Sequence, residues 1–382
     1  MNRQGKGNMG LLYKEDWDET KERMLAWWAH ENFGRCGLSV IAPRKDAPDT
    51  PPPVCPDTPE ARWLDLDYLS ACCEWGLPRT FYGGEAFPVW HGGYAGYASH
   101  SCILGCDIDL DYATGWVHEH PALKGESIDY KALQINETSP HLQFQLSFLR
   151  RGAAEAKGKS IPGVGAFGGV GDTLACLRGN ERLLYDVLDR PDEVRAAELY
   201  LMDQWCRLYD QFHEITKEAA EGSTCWFDLW SPGKFYASQN DFSYMISPKT
   251  YEEVFLPALR KQLEFLDHSV YHVDGIGAFV HVDMLCDLPN LQALQILPGA
   301  GKPGPLHYMD VLKKVQAAGK NLHLYLGANE VETALNELSA RGLFICASCE
   351  TEDEARELLK KAEQWSSDRT GVSMPKEIPD GE

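Results

Sequence analysis

Short apolar runs alternate with longer stretches of helical periodicity along most of the chain. Eight runs have the length and the aromatic or β-branched content of buried strands, at 38–41, 80–87, 163–167, 225–229, 270–273, 291–296, 322–326 and 343–346. Helical patterns separate them, most clearly at 15–31, 59–75, 141–157, 181–220, 248–266, 308–318, 330–338 and 352–365. Strand followed by helix, repeated eight times, predicts a parallel sheet. Eight is the number of such units that closes a (β/α)₈ TIM barrel.

The predicted barrel is a single α/β domain over 15–365, after an N-terminal tail at 1–14. Residues 88–139 fit no simple strand and helix unit; their turn residues, aromatics and paired acids predict a lid-like insertion after the second strand. Residues 366–382 are polar and contain proline and glycine, which predicts a flexible C-terminal tail. Thr351 and Glu354 have the spacing of a capping box, so Cys349 should lie between the last strand and the last helix.

Composition narrows the classes of function. The chain has 382 residues, 44% of them hydrophobic, and a formal net charge of −21 without a long basic run. This charge disfavours binding to nucleic acid and to anionic membranes. The N-terminus lacks the apolar core of a signal peptide, and no stretch has the length needed to cross a bilayer. We therefore expect a cytoplasmic protein, in which the 12 cysteines are mostly reduced and buried.

His272 lies in the predicted strand 270–273 and Asp274 directly follows it; if the strand continues to Asp274, both side chains point to the same face. Histidine, aspartate and cysteine are all zinc ligands, and Cys349 at the end of the last predicted strand is the candidate third ligand. These residues therefore predict a metal site. Each also has a structural alternative: a hydrogen-bonded core histidine, an Asp-Gly turn, and a CxxC pair of Cys349 with Cys346. Side chains alternate along a strand, so the two cysteines point to opposite faces, which argues against a functional CxxC pair.

Other polar and aromatic residues lie where a barrel builds its active site. Glu85 lies at the end of a predicted strand beside two glycines and is a candidate acid, base or further ligand, with a structural salt bridge as the alternative. Asp228 lies at the end of a predicted strand, and Trp230 and Tyr236 lie in the segment that follows it at the barrel mouth. We expect Asp228 and Tyr236 to be catalytic and Trp230 to contact substrate, with loop packing as the alternative. His281 is expected near the site, where it binds substrate or orients the metal ligands.

The run Trp90 to Tyr97 is rich in glycine and aromatic residues. Trp90 and Tyr94 are candidates for a platform that holds a flat ligand such as a corrinoid or an aromatic methoxy compound, since aromatic faces give large contact areas. The run lacks the GxGxxG spacing of a phosphate-binding loop.

Three longer runs suggest a family. They are GGVGDTLACLRGNERLLYDVLDRPDEV, SQNDFSYMISPKTYEEVFLPALRKQLEFLDHSVYHVDG and GLFICASCETEDEA. The chain resembles the uroporphyrinogen decarboxylase superfamily from about residue 38 to 365, and it looks closer to the corrinoid-linked methyltransferase branch than to the true decarboxylases. This resemblance implies a (β/α)₈ barrel. It also implies a zinc-dependent enzyme that moves a methyl group between a small substrate or thiol and a corrinoid carried by a partner protein.

The methyltransferases of this superfamily bind zinc through a His-x-Cys pair and a distant cysteine. His272 and Cys349 match that pattern, but Asp274 stands where the family has its first cysteine. A carboxylate is a harder ligand than a thiolate, so zinc, iron and manganese all stay open. The alternative function is a metal-free, uroporphyrinogen decarboxylase-like lyase that acts on a tetrapyrrole or another carboxylated substrate. The arginine cluster that would bind such carboxylates is not evident in the sequence. The sequence does not decide between a monomer and a homodimer.

Overall fold

The structure is a computed structural model that describes residues 10–91, 93 and 95–369. Its strands are β1 Gly37–Pro43, β2 Thr80–Gly84, β3 Val89–Trp90, β4 Ile108–Leu110, β5 Gly115–Val117, β6 Ile161–Pro162, β7 Ser223–Thr224, β8 Trp230–Ser231, β9 Phe235–Gln239, β10 His268–Asp274, β11 Ala293–Leu297, β12 Asn321–Tyr325 and β13 Leu343–Ser348. Its α-helices are α1 Trp17–Trp28, α2 Pro59–Leu64, α3 Leu66–Gly76, α4 His100–Ile103, α5 Pro140–Ala156, α6 Asp172–Arg178, α7 Asn180–Asp189, α8 Pro191–Ala220, α9 Pro248–Thr250, α10 Leu256–Phe265, α11 Val282–Cys286, α12 Met309–Ala317, α13 Val331–Glu337 and α14 Glu352–Trp365.

A seven-stranded sheet forms the centre of this α/β fold, in the order β2-β1-β13-β12-β11-β10-β9. All neighbouring pairs are parallel except β1 and β2, which are antiparallel. Strands such as β13 (LFICAS) are buried along almost their whole length, because helices cover a mostly parallel sheet and its strands are therefore apolar on both faces. Closure of this sheet into an eight-stranded barrel stays a prediction.

The structure corrects the predicted strands at three places. The second predicted strand, 80–87, ends at Gly84 and pairs antiparallel with β1, so it does not begin a parallel unit. The run 163–167 follows the two-residue strand β6, and the run 225–229 is a turn after β7, so neither is a strand. Strand β9 was missed, since its polar residues Ser238 and Gln239 break the apolar pattern.

Helix starts follow the local signals in the sequence. The Thr351 hydroxyl accepts a hydrogen bond from Glu354 N, and the Glu354 side chain accepts one from Thr351 N, which confirms the capping box at α14. The Ser247 hydroxyl caps α9 by accepting a hydrogen bond from Thr250 N. No helix in the described part of the chain combines the length and apolar composition needed to cross a membrane.

The predicted tails are described only at 10–14 and 366–369. Leu12 N donates to Gly158 O at 3.0 Å, and Ala340 N donates to Ser367 O at 2.8 Å, so both stretches are bonded to the main body. Of the predicted insertion, the described part contains β3, α4 and the β4–β5 hairpin.

Candidate metal centre and adjoining cavity

Three potential metal ligands meet at the carboxyl ends of neighbouring strands. His272 and Asp274 are on β10, and Asp241 follows the end of β9, which pairs with β10. Each residue offers one ligand atom, and these atoms all lie within 4.8 Å of one another. Within the described ranges, no other group of three or more His, Cys, Asp and Glu residues comes this close. The structure thus brings together two of the three predicted ligands and adds Asp241.

The electrostatics of this group suit a cation. Asp274 Oδ1 is buried and has no hydrogen-bond partner, which is costly for a carboxylate oxygen. Burial raises the pKa of Asp241, an increase that His272 opposes and Asp274 reinforces. Two carboxylates repel each other at this distance, and a bound divalent ion would satisfy both.

The imidazole of His272 is held from two sides. Its Nδ1 is hydrogen-bonded to Gln295 Oε1, which leaves Nε2 as the nitrogen available to a metal. The rings of Trp226 and Phe227 contact it edge-on, with centroids 5.3 and 6.0 Å away. The turn at 225–229 therefore covers the histidine instead of forming the strand that its apolar residues indicated.

Cys349 does not join this group. It follows β13, its N donates to Ile41 O at 2.9 Å, and its half-buried side chain lines a cavity beside α13 and α14. Burial raises the pKa of its thiol, and Glu354 adds to the increase. The cysteine that faces a histidine of the sheet is Cys346, whose Sγ lies 3.4 Å from Nε2 of His323 on β12. The two cysteines face different cavities, as expected from the alternation of side chains along a strand. Cys349, the third ligand that the sequence predicts, is therefore not near His272 and Asp274.

A cavity of about 610 Å³ adjoins the metal group. Asp172, Gln239 and Asp241 form one wall, and His100 lines the cavity from α4 in the predicted insertion. Asp172 accepts hydrogen bonds from Gln239 Nε2 and from Asp241 N, both at 2.7 Å. Burial, reinforced by the charge of Asp241, raises the pKa of Asp172 to about 7.

Asp172 and Asp241 were not predicted as site residues. Asp241 follows β9, a strand that the sequence did not reveal, and the pattern of Asp172 is that of an ordinary acid in the first turn of a helix, α6. The signal that could have found Asp241 is its position directly after a short run bounded by Gly233 and Asn240, which is typical of a strand between turns.

Asp228 lines a second cavity, of about 330 Å³, together with Tyr325 and Cys346. Burial raises the pKa of Asp228, although hydrogen bonds from Tyr325 and Cys346 oppose the increase. This cavity is lined by β1, β12 and β13 and does not include the metal group, so the catalytic role expected of Asp228 stays a prediction.

Glu85 has a structural position that differs from the catalytic one expected. Its fully buried carboxylate accepts hydrogen bonds from Arg35 Nη1 at 2.6 Å, from Arg23 Nε at 2.5 Å and from Leu38 N at 2.6 Å. Burial alone would raise the pKa of Glu85, but Arg35 and Arg23 outweigh it and lower the pKa below its ordinary value. Leu38 is near the start of β1, at the opposite end of the parallel strands from the metal group. Glu85 therefore fixes this end of the fold.

Four further predicted site residues are buried in the core. Tyr236 is buried and its hydroxyl accepts a hydrogen bond from Phe167 N at 2.9 Å, and Trp230 Nε1 donates to Ala220 O at 2.9 Å. His281 is bonded through Nε2 to Ser243 O at 2.9 Å, and Trp90 is buried against Phe148.

These hydrogen bonds of Tyr236, Trp230 and His281 go to backbone atoms, so the catalytic role expected of Tyr236 and the substrate contacts expected of Trp230 and His281 stay predictions. Tyr94, the other half of the predicted platform, lies outside the described residues.

Comparison with known proteins gives a likeness of fold. The chain is similar to a methyltransferase from Methanosarcina mazei, with a TM-score of 0.56 and 13% sequence identity over 90% of this chain and 98% of that one. No family model matches the sequence, and no curated protein matches it. At this identity the likeness shows a shared fold.

Proposed function

We propose that this protein is a metal-dependent methyltransferase whose ion is held by Asp241, His272 and Asp274. The observation that carries the proposal is the convergence of these three groups, one of which has a buried carboxylate oxygen without a partner, beside a cavity large enough for a small substrate. The fold shared with a methyltransferase supports the reaction class. The resemblance of the sequence motifs to corrinoid-linked methyltransferases points the same way.

One imidazole and two carboxylates are a suitable ligand set for zinc, with a fourth position open to substrate. Iron and manganese bind the same donors, so zinc is the first candidate among three. When bound, such an ion would lower the pKa of a coordinated thiol enough for the thiol to ionise near neutral pH. In the transfer that we propose, the thiol sulfur forms a bond to the methyl carbon and the cobalt–carbon bond of a methylcorrinoid breaks. The bonding electron pair stays on cobalt, and the thiol proton is released.

Asp172 is suited to receive that proton. It lines the cavity, and its pKa of about 7 allows it to exchange a proton at neutral pH. Hydrogen bonds from Gln239 Nε2 and from the amides of Asp241 and Phe242 fix its two oxygens. His272 and Asp274 hold the metal position from the neighbouring strand.

The charge of the cavity favours a methyl acceptor or donor without a negative charge. Asp172, Asp241 and Glu119 line it, and among the described residues no lysine or arginine does. Glu119 is paired with Arg182 at 2.8 Å, whereas the carboxylate of Asp172 has only neutral donors. An anionic substrate would lose its hydration without gaining a cation other than the metal. The carboxylated substrates of the alternative lyase are therefore disfavoured.

A methyl-transfer assay tests the proposal. Protein reconstituted with zinc is mixed with methylcobalamin and one of three thiols, cysteamine, 2-mercaptoethanol or 3-mercaptopropionate, and the loss of the cobalt–carbon bond is followed by absorbance. We expect turnover with the cationic and neutral thiols and a lower rate with the anionic one. Asp274→Asn should abolish turnover, and Asp283→Asn, which removes an exposed carboxylate paired with Lys314, should not change it.

Absence of transfer by zinc-loaded protein with every thiol would count against the proposal. Release of carbon dioxide from a tetrapyrrole carboxylate by metal-free protein would favour the lyase instead.

A further inference from the structure

A row of hydrogen-bonded side chains runs from His272 across the sheet to the second cavity. His272, Gln295 and His323 are neighbours in register on β10, β11 and β12. His272 Nδ1 is bonded to Gln295 Oε1, and Gln295 Nε2 lies 2.9 Å from His323 Nδ1. His323 Nε2 in turn lies 3.4 Å from Cys346 Sγ, and Cys346 lines the cavity that contains Asp228.

The side-chain amide gives this row a direction. Gln295 Oε1 can only accept, so the hydrogen of the His272 imidazole must be on Nδ1. Gln295 Nε2 can only donate, so His323 Nδ1 carries a lone pair and its hydrogen is on Nε2, from which it donates to Cys346 Sγ. Every donor therefore points away from the metal position, and each link determines the tautomer of the next.

Burial makes an alternative arrangement costly. Gln295 and His323 are 1% and 0% exposed, so no water can replace a lost partner of either side chain. Burial also lowers the pKa of His323 to about 3, and the neighbouring His272 adds to this, so His323 is neutral. A neutral histidine in this position has one donor and one acceptor, which is what the row requires.

We infer that Gln295 and His323 are positioning residues that hold His272 in the tautomer with its lone pair on Nε2, directed at Asp241 and Asp274. This inference rests on the proposed metal centre and names the residues on which its affinity depends. The partners of a ligating histidine contribute about 10- to 100-fold to metal affinity in other metal sites. We expect a factor in that range from Gln295.

Two substitutions of similar size separate positioning from packing. Gln295→Glu keeps an acceptor for His272 Nδ1, whereas Gln295→Met keeps the volume and loses the acceptor. If Gln295 positions the histidine, zinc affinity measured by chelator competition falls about 10- to 100-fold in Gln295→Met and is retained in Gln295→Glu. If Gln295 only fills space, the order is reversed, because methionine suits buried surroundings and a buried carboxylate does not. Gln316→Met, on the outer helix α12, is the matched control.

The outcomes are distinguishable. Zinc binding by the wild-type protein with equal affinity in Gln295→Met would overturn the positioning role and leave the metal centre intact, whereas wild-type protein that binds no zinc would overturn the metal centre itself. A tautomer measurement covers the case in which a variant fails to fold. In zinc-loaded protein with ¹⁵N-labelled histidine, assigned with His272→Gln, we expect a protonated Nδ1 at His272. A protonated Nε2 would overturn the inference.

Discussion

The buried Oδ1 atom of Asp274 has no hydrogen-bond partner, and the imidazole of His272 lies two residues earlier on the same strand with a nitrogen available. Strand alternation puts both side chains on one face, and β9 brings Asp241 beside them. The three candidate ligands therefore come from one pair of neighbouring strands, and the distant Cys349 that the sequence suggested is not among them.

Trp226 should report metal binding. Its ring centroid is 5.3 Å from that of His272, so Co²⁺ at the site should quench its fluorescence. We expect a saturable decrease in tryptophan emission on Co²⁺ titration. The decrease should be smaller in Trp226→Phe, although ten other tryptophans remain among the 11 in the chain. The matched control is Trp75→Phe, which removes a ring that packs against the Arg79 guanidinium. This variant should show the same decrease in emission as the wild-type protein. Equal quenching in Trp226→Phe would place the bound ion elsewhere.

Glu85→Gln should destabilise the fold and leave the metal centre unchanged. Removing this carboxylate leaves Arg35 and Arg23 without their buried partner, and breaking such a pair costs about 3–5 kcal/mol. Chemical denaturation should show that loss in the free energy of unfolding, while the zinc content of the folded protein stays at the wild-type value. A loss of zinc with unchanged stability would return Glu85 to the catalytic role expected from the sequence.

Glu198 should make stability depend on pH. Burial raises its pKa from 4.5 to about 8, so the folded state binds its proton more tightly than the unfolded chain does. The stability that this proton contributes is complete below pH 4.5 and is lost as the pH rises through about 8. Each unit by which the folded-state pKa exceeds the unfolded one corresponds to about 1.4 kcal/mol of this stability.

Glu198→Gln, which keeps an acceptor for Gly171 N, should remove this part of the pH dependence. Urea unfolding between pH 5 and 9 measures it. The wild-type protein should lose more stability than the variant over this range, and parallel curves would show that Glu198 ionises normally in the folded protein.

Much of the fold could be predicted from the sequence because its strands are apolar on both faces. The runs that became β1, β10, β11, β12 and β13 were recognised for this reason. Strand β9 was missed because its last residues, Ser238 and Gln239, are polar where the strand reaches the site. The apolar run 225–229 has the composition of a core strand but forms a turn, in which the partly buried Trp226 and the buried Phe227 pack against His272.

The sequence predicts only the part of the candidate site that lies on a single strand. His272 and Asp274 are two residues apart, and strand geometry places such side chains on the same face. The third candidate ligand depends on which strand lies beside β10, and that is determined by the tertiary structure. Cys349 satisfied the spacing of a known motif, yet Asp241 is the residue that the pairing of β9 with β10 brings close. Glu85 differs from Asp241, because the sequence suggested a site residue and the structure shows a buried ion pair. A carboxylate beside glycines can bind two arginines as readily as a substrate.

Metal analysis of purified protein and its variants tests the central claim most directly. After reconstitution with zinc and removal of excess ion, the wild-type protein should retain about one equivalent per chain, as a single catalytic site requires. Asp241→Ala, His272→Ala and Asp274→Ala should each retain much less, and Cys349→Ser should retain as much as the wild type. Undiminished zinc in the three ligand variants, or its loss in Cys349→Ser alone, would contradict the site described by Asp241, His272 and Asp274.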